Sequence, residues 1–314
     1  MKFDRRSFIG MAGAFAAGGC RSLFTGAAGD FDDRLAVFFS DAHVSGTDPA
    51  YAYTSDRLRA FVAHVLAMSP LPRHVFFLGD LARFHGRRED YAAAVPLLRP
   101  LADAGVKLVM GVGNHDRHDV FFEHFPDVAS ASPVPGSAVS VARLPDFDVL
   151  VLDSLDDRAE GGTGGGRLGD AEQEWLKNAL PAWQRRVLVC AHHDVDELRL
   201  DGGLLGIHLA NAPMVRGYVY GHVHKWSAGW YHRHRWTAAD HVYKKAALPS
   251  VGYWGDIGWA ELRSTPSAAT LSLVQTDFFF PVPVGFGDGG LSKRPPEWDD
   301  MIAANRGAKC VFRL

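Results

Sequence analysis

The stretch GVGNHDRHD at 111–119 sets Asn114, His115 and Asp116 side by side directly after an apolar run. Four other apolar runs end in the same chemistry: Ser40-Asp41-Ala42-His43, Gly79-Asp80, Ala191-His192-His193-Asp194 and Gly221-His222-Val223-His224. Imidazole, carboxylate and carboxamide groups without cysteine suit hard-to-borderline divalent ions such as Mn, Fe or Zn. They speak against a structural thiolate zinc site. The donors outnumber what one tetrahedral ion needs and suit two ions sharing a carboxylate. Such a pair clamps a phosphoryl group and lowers the pKa of a water between the ions. In Asp-x-His and His-x-His, residues two apart point the same way if the chain is extended, so each pair can face one centre. Gly79, Gly113 and Gly221 let the backbone turn sharply before Asp80, Asn114 and His222.

The elements that must carry these residues alternate along the chain. Apolar runs at 35–43, 74–80 and 106–116 are short and rich in Val, Leu and Phe, as buried strands are. Between them, 55–68 and 88–105 have helical spacing, with Pro96 expected to kink or break the second helix. This order predicts βαβ units. Runs at 137–144 and 147–154 are close enough to pair as a hairpin, and GGTGGGRLG at 161–169 is a flexible loop. Asp170 is placed to cap the helix AEQEWLKNAL, with Pro181 just past its end. Further runs follow at 186–194 and 215–224, and the chain after 230 reads mostly as strands. In α/β sheets, ligands gather beyond the carboxyl ends of strands, where five such loops can converge.

Taken in order, Asp41-x-His43, Gly79-Asp80, Gly113-Asn114-His115-Asp116, His192 and Gly221-His222-x-His224 resemble the five motifs of the calcineurin-like metallophosphoesterase family. The resemblance spans about residues 35–225, and it is similar to bacterial, exported, cyclic-nucleotide phosphodiesterase-like members. It implies an α/β fold: a four-layer αββα sandwich of two mixed β-sheets flanked by helices, with the metal site at the strand C-terminal ends. Residue by residue it implies that Asp41, His43 and His224 hold one divalent ion, that Asn114, His192 and His222 hold the other, and that Asp80 bridges them. His115 would stand over the leaving oxygen and Asp116 would orient and charge-stabilise its imidazole. A small phosphate ester would then be hydrolysed by hydroxide held at the metals, with Mn, Fe or Zn as cofactors. His192 is favoured over His193, which a one-residue shift would exchange for it. Two positions depart from the family pattern: GDLARFH lacks a second Asp after Gly79-Asp80, and HHDVDE replaces a run into prolines. Neither removes a ligand, but both bear on substrate class and metal tuning.

Composition excludes other classes. The 314 residues are 47% hydrophobic and 22% charged, as in ordinary globular proteins. Net charge is −3, with no long Lys/Arg block, so a surface built to clamp nucleic acid is not expected. A nuclease and a non-catalytic metal-binding scaffold are the competing readings; the intact His115-Asp116 pair argues against the second. Arg5-Arg6-Ser7-Phe8-Ile9 with the apolar run after it resembles a twin-arginine export signal over 1–29. Its loss would remove four basic residues and one acid, leaving 29 against 35 and a net charge of −6. Ala17-Gly18-Gly19-Cys20 faintly resembles a lipoprotein box, so Cys20 is a possible anchor point, and no later run is long enough to span a bilayer. Cys190 and Cys310 are left, and spacing alone does not decide whether they bridge. One domain is expected over 30–276, followed by an irregular aromatic extension, 277–314, packed back on it. His64, His74, His85, His118, His124, His208 and His241 match no motif, and His232 and His234 are expected on an exposed strand. Tyr53, Phe84, His85 and Trp254 are aromatic candidates for a substrate pocket, with packing an equal alternative.

Overall fold

Strand β1 (Phe31–Phe39) shows how the molecule is layered. Ala36 and Phe38 enter one apolar cluster, while Val37 and Phe39 enter another. A strand buried on both faces has to be apolar at successive positions, and this one ends in LAVFF. The computed structural model describes residues 30–156, 166–198, 202–231, 243–276, 300, 303 and 305–314.

β1 runs parallel to β2 (Leu71–Leu78), which runs parallel to β3 (Lys107–Gly111). On its other side β1 pairs antiparallel with the strand Gly258–Thr265, followed outward by Ala268–Gln275 and Lys309–Arg313. The second sheet also has six strands. In it β4 (Ser140–Arg143) and β5 (Asp148–Val151) form the expected antiparallel pair. β6 (Val187–Ala191), β7 (Val215–Tyr220) and β9 (Lys244–Ala247) continue parallel, and β8 (Ser227–Trp230) closes the edge antiparallel. Phe38, Phe76, Val149, Leu188 and Val219 fill the space between the sheets. Helices α1 (Ala52–Ala67) and α2 (Arg88–Asp103) cover the outer face of the first sheet through Phe61, Val65, Tyr91 and Leu98. Leu176, Leu180 and Leu209, from the helices Asp170–Ala182 and Gly202–Ala210, cover the second. This is the expected αββα arrangement of two mixed sheets.

Three local expectations change. α2 runs unbroken through Pro96 and Pro100. Both prolines and Ala92 face solvent, so water can satisfy the carbonyl that Pro96 leaves without a donor. Asp170 lies in the first turn of its helix with Gly169 at the cap position, and that helix includes Pro181. Residues 309–313 are a strand of the first sheet, where irregular chain was expected. The segments 1–29 and 277–298 and His232, His234 and His241 lie outside the described residues. Cys190 and Cys310 are both buried and free. Among the described residues no helix is long and apolar enough to cross a membrane.

Candidate metal centre

The parallel strands β1, β2, β3, β6 and β7 end at one edge, and five loops leave it there. The loops after β1 and β2 stay paired: Asp41 N–H donates to the Gly79 carbonyl (3.0 Å) and His43 N–H to the Asp80 carbonyl (3.0 Å). Asp41, His43, Asp80, His222 and His224 all have positive φ, and among the described residues no other non-glycine does. The expectation of extended Asp-x-His and His-x-His pairs is thus corrected. These side chains converge because the backbone is held in the left-handed region, a cost of about 1–3 kcal/mol each that concentrates at functional sites. Gly113 is required by contact: a Cβ there would lie 2.2 Å from Asp80 Oδ1.

The carboxylate of Asp80 is central. Its Oδ2 lies 3.2 Å from His192 Nε2, 3.6 Å from His43 Nε2 and 3.9 Å from His115 Nε2. Its Oδ1 accepts from the His115 backbone N–H at 2.9 Å. On one side Asp41 Oδ1 is 3.0 Å from His224 Nε2, and His43 Nε2 is 3.2 Å from the same nitrogen. On the other side His192 Nε2 is 3.1 Å from Asn114 Oδ1, and the His222 ring stands 5.2 Å from the His192 ring. All seven expected ligands therefore gather in one place. His192, not His193, meets Asp80 and Asn114. His193 Nδ1 lies 2.9 Å from Ser154 Oγ, while its ring packs on His222 at 4.6 Å.

The donor set fits divalent ions on a specific ground. His43 Nδ1 faces the Arg83 carbonyl at 3.1 Å and His192 Nδ1 the Leu78 carbonyl at 2.9 Å. A carbonyl only accepts, so both Nδ1 atoms carry the hydrogen and both Nε2 atoms turn a lone pair to the centre. Three imidazole nitrogens and two carboxylates facing one another need positive charge among them. Without an ion, protons serve. Burial opposes charge on His192, but Asp80 and Asp41 overcome it and raise its pKa to about 9. His43, equally buried, is also raised, by Asp41 and Asp80. Asp41 and Asp80 are held low against burial by His224 and His192 respectively. Burial and then His192 bring His222 down to about 4, so its ring stays neutral.

His115 and Asp116 lie where the motif puts them, but the expected contact between them is absent. Asp116 turns inward. It accepts from the backbone N–H groups of Asp80 (2.9 Å), Gly113 (3.0 Å), Leu81 and Ala82, and from the Tyr91 hydroxyl (3.0 Å). Its carboxylate is thus a knot tying the Asp80 loop to the Asn114 loop. Burial, then the nearby Asp80, push its pKa up to about 6. The Phe84 carbonyl takes the orienting role instead, 3.2 Å from His115 Nδ1.

Other contributors carried no signal in the sequence. Tyr91 is spaced like any core residue of α2. The loop after β9 grips the first ligand group from a third direction. Gly252 N–H and Ser250 Oγ donate to the Asp41 carbonyl, and Asp256 N–H donates to the His224 carbonyl. Arg57, buried in α1, donates to the Gly252 and Tyr253 carbonyls and fixes that loop. Of the aromatic candidates, Phe84 and Trp254 border the centre. Tyr53 packs on Tyr51 and Arg57, and His85 sits behind Phe84.

The fold and the gathered donors define a two-sheet α/β scaffold with a cluster of metal-ligand-type side chains at one edge. Residues 36–226 match the model of the calcineurin-like phosphoesterases, and the chain belongs to that family. A dimetal phosphatase from Danio rerio superposes with a TM-score of 0.59 at 15% identity, covering 78% of this chain and 96% of that one. At that identity the likeness shows the fold. Vps29 structures from Entamoeba histolytica (a single-residue variant) and Chaetomium thermophilum both give TM-scores of 0.37, at 10% and 12% identity. Each match covers 77% of this chain, and 92% and 90% of the respective Vps29 chain. No curated protein sequence matches the chain.

Proposed function

We propose that the chain hydrolyses a small phosphate ester, a phosphodiester or phosphomonoester, at a centre of two divalent ions. The observation that carries this is the Asp80 carboxylate, whose Oδ2 stands between His43 Nε2 and His192 Nε2. Asp41, His43 and His224 would hold one ion, Asn114, His192 and His222 the other, with Asp80 shared. Bound there, Mn, Fe or Zn would neutralise phosphate charge and activate a water near neutral pH.

The protein's own part is positioning and proton transfer. His115 stands at the mouth, partly exposed, while Asp80 and His43 beside it are buried. The Phe84 carbonyl keeps a hydrogen on Nδ1, so Nε2 is the atom that gives a proton to the departing oxygen. Burial lowers the pKa of His115, Asp80 opposes, and His43 and His192 add to the lowering, so a proton placed there is readily given up. Side-chain nucleophiles are poorly placed. Ser40 and Ser154 are fully buried, and Cys190 lies in the core between the sheets with its thiol pushed up by burial.

The test is hydrolysis of an aryl phosphodiester and an aryl phosphomonoester by metal-analysed protein with Mn. Turnover should require the metal. Asp80→Asn should lose both bound metal and turnover. His115→Ala should keep its ions and turn over about 10²–10⁴-fold slower. A wild-type chain that binds two ions yet cleaves neither ester would establish the scaffold reading instead. Export, read from Arg5-Arg6-Ser7-Phe8-Ile9, is proposed alongside; mature chain found only in the cytosol would refute it.

A further inference from the structure

A tryptophan offers a large flat apolar face with a polar edge, which suits it to contact with planar groups. Among the described residues only Val141, Trp230 and Trp254 are exposed large hydrophobics, and of these Trp254 stands at the centre, 48% exposed. Its ring lies 4.8 Å from that of His224, tilted by 57°. The rings of His224, His43 and His115 follow in succession at 5.1 and 5.0 Å. Tyr253 and Phe84 back this row: Tyr253 is 4.8 Å from His43, and Phe84 is 5.4 Å from His115. The ligand histidines thus have an aromatic wall along one side, and Trp254 is its most exposed member.

The backbone on either side of Trp254 is fastened. Its loop is fastened by Val251 N–H to the Ser40 carbonyl, Gly252 N–H to the Asp41 carbonyl and Tyr253 N–H to Ser250 Oγ. Gly255, at φ +89°, closes the turn against His224, where a Cβ would lie 2.2 Å from the His224 carbonyl oxygen. A rigid indole loses little entropy on binding, so its contact area becomes affinity. Arg83, which lies over the Phe84 ring at 4.5 Å, also pairs with Asp48 at 2.8 Å and covers the Tyr51 ring.

We infer that Trp254 is a stacking platform for a planar aromatic substituent carried on the substrate's phosphorus, which makes aryl-type esters favoured over alkyl esters. This rests on the phosphoesterase reading above and names the substrate class for that same site.

The experiment measures kcat/KM for a naphthyl and an ethyl ester of the same phosphate type, with Mn-loaded wild type, Trp254→Leu and Trp254→Phe. The naphthyl-to-ethyl ratio should fall about tenfold in Trp254→Leu, mostly through KM, and largely return in Trp254→Phe; a tenfold change lies within the range that one base–aromatic stack contributes. Separately, naphthylphosphonate, which is not hydrolysed, should quench indole fluorescence in the wild type and much less in Trp254→Leu. Equal change of both esters, or no change in the ratio, overturns the platform and leaves the phosphoesterase reading intact. If no ester is cleaved by any form, the phosphoesterase reading falls, and the quenching comparison alone decides whether Trp254 binds planar groups.

Discussion

At the scale of single residues, the centre is a competition between protons and cations for one set of lone pairs. His192 is held up to about 9 and His43 is also raised, because the carboxylates of Asp41 and Asp80 face them. Their folded pKa values lie above the unfolded imidazole value of about 6.5. Their share of stability in the metal-free chain is therefore full below about pH 6.5 and is lost as pH climbs through the folded values. A divalent ion must displace these protons. Adding Mn or Zn to metal-free protein at pH 7.5 in weak buffer should release protons, and the release should shrink toward pH 10. His192→Asn should release fewer at pH 7.5. Proton release that does not change between pH 7.5 and 10 would show that these imidazoles are not what the metal displaces.

Loops and strands set the next scale. Asp116 does not touch His115; it fastens two loops of the edge to each other. Its five partners include the Tyr91 hydroxyl, which also accepts from Arg117 N–H at 3.0 Å. Tyr91→Phe keeps the ring and removes one donor and one acceptor, an expected loss of about 1–3 kcal/mol in denaturant unfolding. Asp116→Ala strands four backbone N–H groups at once and should cost more than Tyr91→Phe. Metal affinity should fall with it, since those N–H groups belong to the Asp80 and Asn114 loops. If Asp116→Ala unfolds like wild type, the knot contributes nothing. The unbroken α2 belongs here as well: both of its interior prolines face water, which can solvate the carbonyls they leave without a donor.

For the molecule as a whole, the site depends on two sheets keeping their places, because its ligands come from strands of both. Phe38 and Phe76 stack between the sheets at 4.6 Å with their planes 13° apart. Phe38→Ala should cost about 3–5 kcal/mol and lower the melting temperature with or without metal. Val141→Ala, on a side chain 45% exposed, should stay within about 0.5 kcal/mol of wild type. Comparable melting of both variants would mean that the layer between the sheets is not what holds them. The two-sheet architecture was implied by the resemblance to the metallophosphoesterase motifs. The chain's linear order was enough to place most of the strands, though not Lys309–Arg313, and the positions Asp41, His43, Asp80, Asn114, His192, His222 and His224 at strand ends. That is because strand burial writes itself as apolar runs and the chemistry sits at their ends. It was not enough for Asp116, whose neighbour in sequence is His115 but whose partners lie across a loop boundary. Nor could it reveal Tyr91, Arg57 or the Ser250–Asp256 loop, since a core aromatic, a helix arginine and a turn carry no local mark of what they will meet. Period and composition are local properties and can be read along the chain. Which hydrogen-bonding groups meet in a buried volume depends on how distant segments pack, and only the folded chain determines that.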